Sequence, residues 1–173
     1  MLIFLVGYMA CGKSTIGRKL NKRLQMQLFD TDKEIVAQEG ITVAEIFDTY
    51  GEEHFRRLES SIIKKLIDNN LDAIISTGGG APMWGENMDI MNRAGITVYL
   101  RRSAEDICSR ISEFGREKRP KLRGLSDSEL LDFMRSGIAQ RDARYNEASL
   151  IIECDHCGDD EIIDTIIRRI EST

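Results

Sequence analysis

The run Gly7-Tyr-Met-Ala-Cys-Gly12-Lys13-Ser14 has the residue types and spacing of a polyphosphate-binding loop, GxxxxGK[ST]. Glycines let backbone N–H groups curl around phosphate oxygens, and a helix opening at the loop adds the positive end of its dipole. Lys13 is placed to reach the β- and γ-phosphates and the Ser14 hydroxyl to ligate Mg²⁺. The motif implies ATP or GTP with Mg²⁺. It does not say where the phosphoryl group goes, because hydrolases, switches, motors and small-molecule kinases share it.

An acceptor has to be sought elsewhere. Asp30-Thr31-Asp32 follows a short strand, and residues i and i+2 on extended chain point the same way. Both carboxylates are therefore expected in the crevice beyond the strand ends. One would hold the magnesium's water shell, and the other would accept or orient the proton of an attacking hydroxyl. The alternative for Asp32 is an N-cap of a helix starting near Lys33, and the two roles are compatible.

Arg56 and Arg57 are neighbours on a charged helix start, so they point about 100° apart. One can lean to the crevice as a fork for a carboxylate or phosphate, while the other is solvated. Gly78-Gly79-Gly80 follows the third strand, where either a ligand's close approach or a tight turn before Pro82 calls for glycine. The stretch EFGREKRPKLRGL at 113–125 carries Arg116, Lys118, Arg119, Lys121 and Arg123. It reads as an exposed loop, either a solvated charge run or a lid that closes on the transferring group. Arg141, Arg144 and Tyr145 lie on the helix before the last strand.

Positioning these residues requires alternating strands and helices. Nearly continuous apolar runs at Leu2–Val6, Ala73–Thr77, Ile96–Leu100 and Ser149–Glu153, with a shorter one near Leu28–Phe29, read as strands covered on both faces. Between them, Ile16, Leu20 and Leu24, then Leu58, Ile62, Ile63, Leu66 and Ile67, then Ile162, Ile163, Ile166, Ile167 and Ile170, mark helical faces. Thr42-Val-Ala-Glu45 and Ser126-Asp-Ser-Glu129 fit capping boxes. The alternation predicts an α/β doubly wound fold with a parallel sheet.

The chain has 173 residues, 42% hydrophobic and 31% charged, which suits one domain with a real core. Its net charge of −5 argues against general nucleic-acid or membrane-surface binding, so an anion must be held by a local cluster of cations. No apolar run approaches the roughly 18–20 residues of a membrane span, and the apolar N-terminus lacks the basic start of a signal peptide. Cys11, Cys108, Cys154 and Cys157 are expected as reduced thiols in a cytoplasm. Cys154-Asp-His-Cys157 has the spacing of a metal or redox pair, but a zinc site needs two more ligands and the only histidines are His54 and His156. Its place near the C-terminus also differs from that of a redox pair opening an early helix.

Taken together, the markers resemble the shikimate kinase family. They are GxMxxGKSTxG at Gly7 to Gly17, the pair Asp30 and Asp32, GExxFRxxE from Gly51 to Glu59, Gly78-Gly79-Gly80, Arg119-Pro120, and RxxxY from Arg141 to Tyr145. The resemblance implies an ATP-dependent kinase acting on the 3-hydroxyl of shikimate, on the way to chorismate and aromatic amino acids. It implies a three-layer P-loop fold with a five-stranded parallel sheet of order 2-3-1-4-5, one domain over 1–173, an acceptor subdomain around 31–60 and a mobile lid around 112–124. ATP would be bound by Ala10, Cys11, Gly12, Lys13, Ser14, Thr15 and Arg119, with Lys13, Asp32 and Arg119 catalytic. Shikimate would be bound by Asp32, Arg56, Gly78, Gly79, Gly80 and Arg141, and Mg²⁺ by Ser14 and, through water, Asp30. A cytoplasmic monomer is implied. Ala10 stands where the family usually has glycine, and the stretch after the last strand lacks the family's frequent arginine near the adenine, leaving that contact unassigned. The competing readings are a kinase for another small polyol acid such as gluconate, a nucleoside monophosphate kinase, or a non-catalytic nucleotide-binding protein.

Overall fold

Five strands, β1 (Leu2–Val6), β2 (Gln27–Asp30), β3 (Ala73–Ser76), β4 (Ile96–Arg101) and β5 (Leu150–Glu153), form one sheet in a computed structural model that describes residues 1–172. The order is β2-β3-β1-β4-β5 and every pairing is parallel, as the resemblance implies. β1 and β3 are buried at every position, which is why their runs show no polar alternation. β2 and β5 are the edges and keep partly exposed positions. That half-covered environment explains the weak apolar signal at Leu28–Phe29, where the strand spans four residues.

The helices α1 (Lys13–Leu24), α2 (Thr31–Glu39), α3 (Val43–Asn69), α4 (Asn87–Ala94), α5 (Ala104–Arg110), α6 (Glu113–Glu117), α7 (Asp127–Ala139), α8 (Asp142–Tyr145) and α9 (Asp159–Glu171) cover the sheet and build out from it. Short 3₁₀ turns lie at Ala81–Met83 and Pro120–Leu122. Both capping boxes are formed: Thr42 and Glu45 cap α3, and Ser126 and Glu129 cap α7. α3 is broken at Gly51, whose φ of 84° lies in the left-handed region that favours glycine. The charged helix start therefore follows a hinge-like break and carries Phe55, Glu59, Ile62 and Leu66 along its buried side.

Two local expectations are corrected. Residues 113–125 are not an extended exposed loop: they form α6 and a 3₁₀ turn, and Leu122 is fully buried. The Ser112 hydroxyl accepts from Gly115 N–H and nucleates α6, a local capping signal that the polar composition hid. Asp30 and Asp32 do not share extended chain. Asp30 ends β2 and is itself the N-cap of α2, accepting from the N–H groups of Asp32 and Lys33, whereas Asp32 sits in the first helical turn.

Candidate active site

The sheet order reverses direction at β1, so the crevice lies beyond the C-terminal ends of β1 and β3. Gly7 leaves β1 with φ 146°, and an added Cβ would press on Cys11 Sγ and the Leu100 carbonyl. Gly12 is the N-cap of α1 with φ 106° and brings no side-chain cap, which leaves the first-turn N–H groups for an anion. Ala10 also has positive φ, 59°, a geometry glycine adopts without the Cβ penalty. Arg102, buried at the end of β4, donates to the Cys11 carbonyl at 3.1 Å and pairs with Asp106, so it braces the loop from behind.

Lys13 Nζ donates to the carbonyls of Gly7 at 2.7 Å and Tyr8 at 2.9 Å. Those bonds hold the ammonium across the mouth of the loop. A cleft of about 360 Å³ opens there, and Ala10, Gly12, Lys13, Ser14, Thr15 and Arg119 are among the residues that line it. Cys11, also expected at ATP, is buried behind the loop and does not line that cleft. Arg110, Ile111, Ser112 and Gly115 close the outer side. Sequence reasoning missed Arg110, which has no motif around it and reaches the cleft only through the position of α5. It lies 3.6 Å from Asp159 at the start of α9. The turn with Cys154, His156 and Cys157 does not line this cleft, all four cysteines are free, and no cluster of metal-ligating side chains occurs among the described residues.

The donors available for a magnesium ion are hard oxygens. Ser14 has an exposed hydroxyl in the cleft, and Asp30 commits only Oδ1 to the helix cap. One hydroxyl and one carboxylate, completed by phosphate oxygens and water, suit Mg²⁺, which keeps most of its waters. The donor set fits.

A second pocket of about 190 Å³ lies beside the loop, about half the size of the first. It gathers Asp32, Arg56, Gly78, Gly79, Gly80 and Arg141 from four separate stretches of chain, with the rings of Phe47 and Phe55 tilted against each other, centres 4.7 Å apart, as an apolar wall. Arg57 points away and pairs with Glu53 at the surface, so the two adjacent arginines divide as their helical angle requires. Arg141 donates to the Gly137 carbonyl at 2.8 Å and lies 5.3 Å from the centre of the Tyr8 ring. Arg144 is structural: it pairs with Asp89 at 2.8 Å and bonds the Pro82 carbonyl at 3.2 Å. Tyr145 is buried and donates to the Gly79 carbonyl at 2.5 Å, fixing the glycine turn.

Glu59 is the residue sequence reasoning underrated. It is fully buried, and its Oε2 accepts from Arg56 Nη1 at 2.6 Å. The available signal was an acid inside the apolar stripe Phe55, Ile62, Leu66. Glu59 Oε1 and Asp32 Oδ1 are buried without a hydrogen-bond partner, and both converge on Gly78, where an added Cβ would strike them. Gly80 lies under the Arg56 guanidinium, which an added Cβ would also strike. Two of the three glycines thus leave room for charged groups, and the same residues make the tight turn before Pro82, where Ala81 N–H donates to the Gly78 carbonyl at 3.1 Å.

Burial pushes the Glu59 carboxyl up to about 7, against the opposing pull of Arg56. Burial also raises Asp32, followed by the neighbouring charge of Asp30, while Lys13 and Arg56 pull it down. Between the unfolded value of 4.5 and about 7, the native state binds more protons at Glu59 than the unfolded chain does. Its contribution therefore favours folding below the lower value and is lost as pH rises through the window. Urea midpoints should show the stability of wild type falling relative to Glu59→Gln between those pH values. A gap that stays flat would mean that Glu59 titrates normally.

A sequence model described as shikimate kinase matches residues 9–171. The chain is 38% identical over 168 residues to a shikimate kinase of Bacteroides fragilis, covering 97% of this chain and 93% of that one. Its fold superposes on a crystal structure of shikimate kinase from Bacteroides thetaiotaomicron with TM-score 0.88 at 34% identity, over 99% of this chain and 97% of the other. It superposes on the Acinetobacter baumannii enzyme in complex with shikimate with TM-score 0.87 at 30% identity, over 99% and 93%.

Proposed function

The chain belongs to the shikimate kinase family, an ATP-dependent kinase family, and from that premise we propose how its own residues transfer the γ-phosphoryl group to the shikimate 3-hydroxyl. The observation that carries the reading is Asp32 Oδ1, a buried acceptor without a donor in a pocket it shares with Arg56 and Arg141, beside the phosphate loop. A polyol acid supplies what that pocket lacks: a hydroxyl for the carboxylate and a carboxylate for the arginines.

Backbone N–H groups of the loop and the α1 N-terminus hold the ATP phosphates, with Lys13 across the β- and γ-positions and Thr15 and Arg119 along the cleft. Mg²⁺, when bound, neutralises charge on these phosphates, and Ser14 and water-bridged Asp30 are the residues to hold it. Arg56 and Arg141 grip the shikimate carboxylate, and the Gly79 backbone faces the ring. This fixes the 3-hydroxyl in line with the γ-phosphorus, and the proximity itself is a large part of catalysis. Asp32 takes the hydroxyl proton at Oδ1 as the new O–P bond forms and ADP leaves. Its raised pKa makes it a stronger base than a solvated aspartate.

Residues 31–60 act as the acceptor subdomain, and 112–124 as a lid whose closure excludes water. The oligomeric state we propose is a monomer. The four free cysteines favour a reducing compartment, the cytoplasm, and no helix among the described residues is long and apolar enough to cross a membrane. The test is a coupled ADP-release assay with and without shikimate. ADP release that depends on shikimate is expected, and release indifferent to it would sink the assignment in favour of a nucleotide hydrolase or sensor.

A further inference from the structure

Five basic residues lie in 113–125, and four of them are engaged there. Arg116 pairs with Asp127 at 2.7 Å, and Lys118 lies 4.3 Å from the centre of the Phe114 ring. Arg119 donates to the Gly115 carbonyl at 2.7 Å, and Arg123 to the Glu117 carbonyl at 2.6 Å. Lys121 has no hydrogen bond or ion pair among the described residues, yet it borders the acceptor pocket.

Its position follows from the turn it occupies. Pro120 fixes one backbone angle, Leu122 N–H donates to the Arg119 carbonyl at 2.8 Å, and the Leu122 side chain is fully buried. That plug holds the turn between the two cavities. Arg119 on one side lines the nucleotide cleft, and Lys121 on the other lines the acceptor pocket. The nearby anions do not claim the ammonium: Glu59 is taken by Arg56, and Asp32 Oδ1 has no partner at all.

We propose that Lys121 is an acceptor-binding residue that selects for an anionic acceptor, joining Arg56 and Arg141 around the substrate carboxylate from the lid side. The inference rests on the shikimate reading above. Lysine fits the task as a compact point charge on a long stem, which reaches a carboxylate already held by arginine forks. A single cation placed on a side chain exposed at the pocket rim adds less than a buried fork, and its effect is confined to acceptors carrying the charge.

The test compares kcat/KM for shikimate and for its uncharged methyl ester in wild type, Lys121→Met, Lys121→Arg and the surface control Lys64→Met, an exposed lysine of α3 that lines neither cavity. Lys121→Met should lower kcat/KM for shikimate roughly five- to tenfold, mainly through KM, with KM for ATP within about twofold of wild type. Lys121→Arg should recover most of the loss, Lys64→Met should show none, and for the ester wild type and Lys121→Met should match. Equal losses on shikimate and ester would make Lys121 a merely structural part of the lid and overturn the proposal. An unchanged Lys121→Met would overturn it as well. A wild-type enzyme indifferent to shikimate would overturn both this inference and the reading beneath it.

Discussion

Asp32→Asn is expected to cut kcat by about 10²–10⁴ while KM for ATP stays within a few-fold of wild type. The size follows from the loss of the proton acceptor proposed for the attacking hydroxyl, and the selectivity from position. Asp32 lines the acceptor pocket, whereas the nucleotide cleft is built from the phosphate loop, α1 and the lid. Stability should move the other way. Asp32 Oδ1 has no hydrogen bond to lose, and burial together with the charge of Asp30 already disfavours the ionised form. An isosteric neutral amide removes that cost, so the melting temperature of Asp32→Asn should equal or exceed that of wild type. A protein more stable and far slower is the mark of a charge kept for chemistry. Near-wild-type turnover would remove Asp32 from the mechanism. Slow turnover with a collapsed melting temperature would reassign it to folding.

The same aspartate shows how far local sequence carries. The sequence points to Asp32 through an extended DxD geometry that the fold does not use. It reaches the pocket because Asp30 caps α2 and, by accepting from the Asp32 N–H, fixes Asp32 in the first helical turn. The phosphate loop was legible because strand, loop and helix are consecutive and each part has one physical job. Arg56 was legible because a helix fixes the angle between neighbours. Glu59, Arg110 and Arg102 were not, since each matters through a partner far along the chain: Glu59 faces Gly78, Arg110 faces Asp159, and Arg102 holds the Cys11 carbonyl. The sheet order came from family resemblance, because strand patterns alone leave parallel orders open. The helical part of 113–125 was masked by its own polarity, although buried Leu122 anchors it.

Removing Arg56 has two consequences, and they can be separated. Arg56→Met should raise KM for shikimate by roughly 10²-fold or more, since truncating one partner of a buried charge pair costs about 2–5 kcal/mol. It should also destabilise the free protein, because Glu59 Oε2 loses its 2.6 Å donor and the carboxyl is left fully buried. The double variant Arg56→Met/Glu59→Gln removes that unpartnered carboxyl. Its melting temperature should return toward wild type while KM for shikimate stays high. Arg56→Lys keeps the charge but not the fork, and should fall between wild type and Arg56→Met. If the double variant instead regained wild-type KM, Arg56 would serve only to neutralise Glu59, and the carboxylate would be held by Arg141 alone. If KM for ATP rose and KM for shikimate did not, Arg56 would belong to the other cavity, contrary to its place against Gly80 and Glu59. The expected pattern assigns one guanidinium two anions: Glu59, which pre-orients it in the free enzyme, and the substrate carboxylate, for which it is held.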